Sequence, residues 1–180
     1  ASVAVALLAG SAVSLWQAGV AREQARVAER EARRAQAVQN FVLDIFRANS
    51  DRQKDPARAR NTTARELLDL GTERLESALL DAPESRAVVM KTLSDMYYQL
   101  QLEERSAAIQ ERRIALLKQI HGPDDARVAE ALVNFAAALH ATPRRNEILP
   151  ALDEARRILD RNGDHTSRLR GELLTRLAQR

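Results

Sequence analysis

Cysteine is absent from these 180 residues, which excludes disulfides and thiolate metal sites and leaves the compartment open. Aromatic residues make up only 3%, too few for a surface on which exposed rings stack on nucleic-acid bases. No stretch alternates β-branched and polar residues, so strands are not expected. Charge is nearly balanced: 28 basic residues face 25 acidic ones, a net of +3. Catalytic signatures are missing too, with no G-x-G-x-x-G loop, no P-loop, no H-R-D and no D-F-G. His121, His140 and His165 are scattered and show no H-x-x-x-H spacing. No enzymatic activity, metal or cofactor is therefore expected of these residues. What remains is Ala, Leu, Arg and Glu with 6 glycines and 5 prolines, the composition of an all-α chain.

Residues 1–21 carry no charge, and as a helix they would extend roughly 31 Å, close to the thickness of a bilayer's hydrocarbon core. Trp16 lies near the charged end, where an indole would sit among lipid headgroups. The run is rich in Ala, Ser and Gly. A transmembrane helix is the favoured reading; a cleaved signal peptide and a buried helix also fit. The chain opens on Ala rather than Met, so a fragment or processed product is expected, with the rest of the span upstream.

From Arg22 to Arg47 no breaker interrupts the helical pattern. Ala21, Ala25, Ala28, Ala32 and Ala35 alternate steps of four and three, a heptad seam made of alanine. The seam is read as changing step through Val38, Val42 and Ile45, with Phe41 and Phe46 beside it. A solvated juxtamembrane stalk is the favoured reading, and weak pairing of two chains through residues 21–45 is the alternative.

Residues 48–61 are polar, contain Pro56 and read as a loop. A lead-in helix follows over 62–80, where Thr63 and Glu66 fit a capping box. Gly71 in mid-helix costs about 1 kcal/mol relative to Ala, so a close crossing is expected there. Asp81 and Glu84 make a second capping pattern around Pro83. Gly122-Pro123 and Asn162-Gly163 read as helix stops; Asp124, Asp125 and Ser167 are candidate caps.

The second half repeats. Ala87, Met90, Leu93 and Ser94 recur as Ala129, Leu132, Phe135 and Ala136, and again as Gly171, Leu174, Leu177 and Ala178. Each step, from Ala87 to Ala129 to Gly171, is 42 residues, a period that points to a solenoid of stacked units. Residues 83–121 form repeat 1, 126–161 repeat 2, and 166–180 the first helix of a truncated repeat 3. Leu169, Leu173, Leu174 and Leu177 of that last helix are expected to lie open, with the natural protein continuing beyond Arg180.

Leu93-Ser94, Tyr97 and Leu100 resemble the first helix of a tetratricopeptide repeat. Phe135-Ala136 and Leu139, followed by Leu152, Ala155 and Ile158, resemble another. Departures are Arg113 where a small residue is usual, Gln101 and Pro143 in place of a turn glycine, and Pro150 inside a helix, where a kink is expected. A wider likeness covers most of the chain: an uncharged span, a stalk ending in QNFVLDIFRA (39–48), then TARELLDLG (63–71) and the repeats. This order resembles the region after the kinase domain in bacterial, eukaryotic-like serine/threonine protein kinases that carry tetratricopeptide repeats. The resemblance implies a single-pass inner-membrane protein with exported repeats, and ATP and Mg only in an upstream kinase domain. Arginine exceeds acid over 22–47, which by the positive-inside tendency would keep this flank cytoplasmic, so orientation is contested.

In such repeats the first helices line a concave face suited to a peptide or protein partner. The register places Lys91, Asp95, Tyr98, Gln99, Glu130, Val133, Asn134 and His140 on that face. Lys91 and Asn134 fall where some tetratricopeptide domains hold a C-terminal carboxylate, but the charge of Asp95 would repel one. The pairs Arg33-Arg34, Arg112-Arg113, Arg144-Arg145 and Arg156-Arg157 are interleaved with acids, so nucleic acid is not expected as a partner.

Overall fold

The computed structural model describes the backbone of residues 2–52 and 62–178, and side chains from residue 17 onward apart from 30, 34, 48 and 50–52. Seven α-helices run through these residues: α1 Ser2–Arg52, α2 Ala64–Ala78, α3 Pro83–Gln99, α4 Glu103–His121, α5 Ala126–Ala138, α6 Ile148–Arg161 and α7 Arg168–Ala178. Two 3₁₀ turns, Leu139–Ala141 and Arg145–Glu147, join α5 to α6. No strand occurs among the described residues, so the chain is all-α there.

Local chemistry sets most boundaries. Thr63 accepts from the Glu66 N–H at 3.2 Å while the Glu66 carboxylate accepts from the Thr63 N–H at 2.7 Å, closing the expected box. Asp125 caps α5 through the Arg127 N–H at 2.8 Å, and Ser167 Oγ accepts from the Arg170 N–H at 3.1 Å. Gly122 ends α4 at φ +88°, a left-handed conformation that a side chain disfavours. Asp81 does not cap: α3 starts at Pro83 behind Ala82, which leaves Glu84 to pair with His121 across 3.0 Å. The kink expected at Pro150 is also absent. The α-helix begins only at Ile148, so the proline falls in the first turn, where no intrahelical N–H partner is needed. Gln101 takes φ +58°, so it adopts the turn conformation that a glycine would supply freely.

Consecutive helices pack on one another throughout, α1 on α2, α2 on α3 and so on to α7. Contacts of α1 with α3 and of α5 with α7, together with the Lys91–Glu130 approach between α3 and α5, place the odd-numbered helices in one layer. Asp69–Arg105, Glu76–Arg112 and Lys118–Glu154 tie α2, α4 and α6 into the other. Tyr97 sits at the junction of the layers with no exposed surface; its hydroxyl donates to Asp69 Oδ1 at 2.7 Å and meets the Thr72 hydroxyl at 3.2 Å. Burial raises the Tyr97 pKa above the ordinary phenol value, so this donor stays protonated.

The stalk differs most from expectation. Helix α1 continues past Arg47 to Arg52, because nothing before Pro56 breaks it, and 48–52 are helical rather than loop; residues 53–61 lie outside the described residues. One side of its lower end is packed rather than solvated. Phe41 is buried, and Ala37, Val38 and Ile45 pack against the same core as α2 and α3. The close crossing expected at Gly71 is made by this segment: a Cβ on Gly71 would come within 2.9 Å of Ile45 Cδ1. The lead-in helix α2 thus pairs with the end of α1. Among the described residues no helix is long and apolar enough to cross a membrane. The expected span over 1–21 falls mostly on side chains outside the described residues, that of Trp16 included.

The recurring clusters hold for two of three copies. Ala87, Met90, Leu93 and Ser94 are buried, as are Ala129, Leu132, Phe135 and Ala136. In α7, Gly171, Leu174 and Ala178 are exposed, and Leu173 is fully buried against expectation. Val89, Ala131 and Leu173 share one register, and all three are buried. Met90, Leu132 and Leu174 share the next, which is buried in α3 and α5 and 50% exposed in α7, the last described element.

Candidate functional site

Two surfaces stand out. The first is the exposed side of α3 and α5. Lys91 Nζ lies 2.9 Å from Asp95 Oδ2 and 3.9 Å from Glu130 Oε1, and Arg113 donates to Glu130 Oε2 at 3.0 Å. Glu130 is thus shared by two cations, and the Lys91 ammonium already has carboxylate neighbours. Tyr98 and Gln99 at the end of α3 and His140 in the 3₁₀ turn are exposed, and Asn134 is half-buried. Val133 is not on this surface: it is fully buried. Helix α5 is apolar around most of its circumference because α4, α6 and α7 all pack on it, so Glu130 and Asn134 are what it offers on this side.

Sequence reasoning missed two members of this site. Arg113 is only 5% exposed and, among the described residues, its buried Nε and NH1 atoms find no hydrogen bond, nor do the amide atoms of buried Gln110 one turn away. The departure of Arg113 from a small residue was the available signal, and Glu130 explains it: the long side chain reaches that carboxylate from inside the stack. The other arginine pairs are also engaged. Arg112 meets Glu76, Arg156 meets Asp153, and Arg144 holds Glu111 and Glu147 while lying 5.4 Å from the Phe135 ring centre. Both carboxylates hold the Arg144 pKa above its ordinary value, and Glu147 is lowered in return.

The second surface is an apolar cleft of about 400 Å³ between α1, the start of α2 and the end of α3. Phe41 and Leu93 form its floor; Val42, Phe46, Met96 and Leu100 form an exposed rim. Gln99 borders it, linking the cleft to the polar face. Among the described residues no titratable side chain lines it, and its surface suits apolar groups. Its volume falls in the range of ordinary ligand pockets. Among the described residues no group of His, Asp and Glu is arranged to hold a metal ion. No family model matches this chain, and neither a curated protein nor a solved structure matches it.

Proposed function

We propose that this chain is the membrane-anchored interaction region of a bacterial serine/threonine protein kinase, a tetratricopeptide-like α-solenoid that holds a peptide or protein partner on its concave face. The observation that carries the binding reading is the accessible surface of α3, where Gln99 borders an open apolar cleft and Lys91, Asp95 and Tyr98 form a separate polar side of the same helix. Such a pairing of polar and apolar surface suits an extended peptide, whose backbone needs hydrogen bonds and whose side chains need burial. The kinase reading rests on the ordered segments QNFVLDIFRA and TARELLDLG. The two segments pack on each other, with Ile45 against Gly71. Anchorage rests on the uncharged residues 1–21, with Trp16 at the headgroups and the repeats exported.

A partner would regulate an upstream kinase only by binding two states of the chain unequally. A membrane-anchored scaffold without a kinase is the alternative, with the same binding face. Two experiments separate these. Peptides selected by display against the full chain should bind at least tenfold more weakly to the Lys91→Ala, Tyr98→Ala double variant, at unchanged melting temperature. Equal binding would remove the α3 face from the account. An H-R-D and D-F-G pair encoded ahead of Ala1 supports the kinase; its absence leaves the scaffold.

A further inference from the structure

Helix α1 carries two apolar faces. One, made by Val38, Phe41 and Ile45, packs into the fold. The other keeps the heptad step of the alanine seam from Ala35 through Gln39 and Val42 to Phe46, without the change of step that the sequence suggested. At 100° per residue this face lies roughly 140° around the helix from Phe41. Its described members are exposed, Val42 by 44% and Phe46 by 56%, and neighbouring Leu43 by 44%. Above it, the described side chains from 17 to 36 are exposed except for half-buried Ala18.

We propose that this face pairs with the same face of a second copy, in parallel and in register, so that Val42 and Phe46 of the two chains meet along the α1 rim of the α1–α2–α3 cleft and leave its α3 side, at Met96 and Gln99, open. A seven-residue repeat is matched by a helix of the same repeat, and a second copy supplies one. Register follows from the residues. In-register pairing sets two Gln39 amides together, where they hydrogen-bond, and Phe46 against Phe46. A slip of one heptad would bury an unpaired Gln39 beside Phe46, and antiparallel pairing would set Phe46 against alanine and leave a void. The flanking positions agree: Gln24 faces Glu29, Glu31 faces Gln36 and half-buried Val38 faces Leu43, with no like charges opposed. The alanines allow close approach but bury little. The apolar area sits at Val42, Leu43 and Phe46, continuous with Met96 and Leu100 of the cleft rim. This pairing stands whether or not a kinase precedes the chain.

The absence of cysteine makes the test clean. In the full chain, Ala28→Cys and Val42→Cys should each form disulfide-linked dimers at least tenfold faster than Arg26→Cys or Arg33→Cys, which lie off the seam. In sedimentation equilibrium the chain should dimerise, and the Val42→Glu, Phe46→Glu double variant should be monomeric, with the helicity and melting temperature that the wild type shows when diluted to monomer. Cross-linking without heptad phase overturns the proposal. So does a wild-type chain that stays monomeric up to on the order of 100 µM.

Discussion

One helix, α1, lives in two environments. Over residues 37–49 it is part of the fold, with Phe41 buried and Ile45 filling the space that Gly71 leaves open. Over 17–36 the described side chains are almost all exposed, and exposed pairs such as Arg33–Glu29 at 2.7 Å contribute little. Backbone geometry is the same in both stretches. The difference lies in what the helix can bury: large side chains on the core-facing side below, alanine and charge above. Helix formation and tertiary docking are therefore separate properties of one continuous segment, and substitutions should separate them.

The largest effect is expected at the docked end. Phe41→Ala should cost about 3 kcal/mol in urea unfolding, through lost burial and the cavity left behind. Ala28→Gly in the projecting stretch should leave the unfolding midpoint unchanged and lower only helicity, by weakening local propensity. Equal losses from the two would erase the distinction. The same contrast recurs in α7: Leu173→Ala should cost about 2 kcal/mol and Leu174→Ala well under 1 kcal/mol, since one is fully buried and the other 50% exposed.

Smaller effects are confined to the stack. Gln101→Gly should stabilise it by about 0.5–1 kcal/mol, because glycine relieves the left-handed φ of +58°. Asp125 is held at a pKa of about 2, first by its side-chain hydrogen bond to Arg127. A lowered carboxyl pKa stabilises above the ordinary value of 3.8 and loses that contribution as pH falls through about 2. The melting-temperature gap between the wild type and Asp125→Asn should therefore be full above about pH 4 and close toward about pH 2. Neither substitution should alter the exposed part of α1.

Features set by neighbours in sequence were legible without a structure. The Thr63–Glu66 box and the Gly122 stop depend on a few adjacent residues, and Tyr97 and Leu93 stand in a repeated register. What depends on distant surfaces was not. The residues from Val38 to Phe46 look like one apolar seam because the core-facing and outward sets overlap in a short window; only the position of α2 and α3 divides them. Val133 misled because an apolar α5 has several buried sides, and the register alone does not count them. Arg113 was legible only as a departure from a small residue, because its partner Glu130 comes from the next hairpin. Of the candidate site, the exposed end of α3 was anticipated, whereas the cleft was not, since its wall was assigned to a free stalk.

The central claim is that the lower end of α1 is a wall of the fold, and amide hydrogen exchange on dilute, monomeric chain tests it most directly. Amides from about residue 41 to 47 should be protected as strongly as those of α2, while those from about 20 to 34 exchange orders of magnitude faster. Uniformly fast exchange along both stretches, with α2 still protected, would contradict the account.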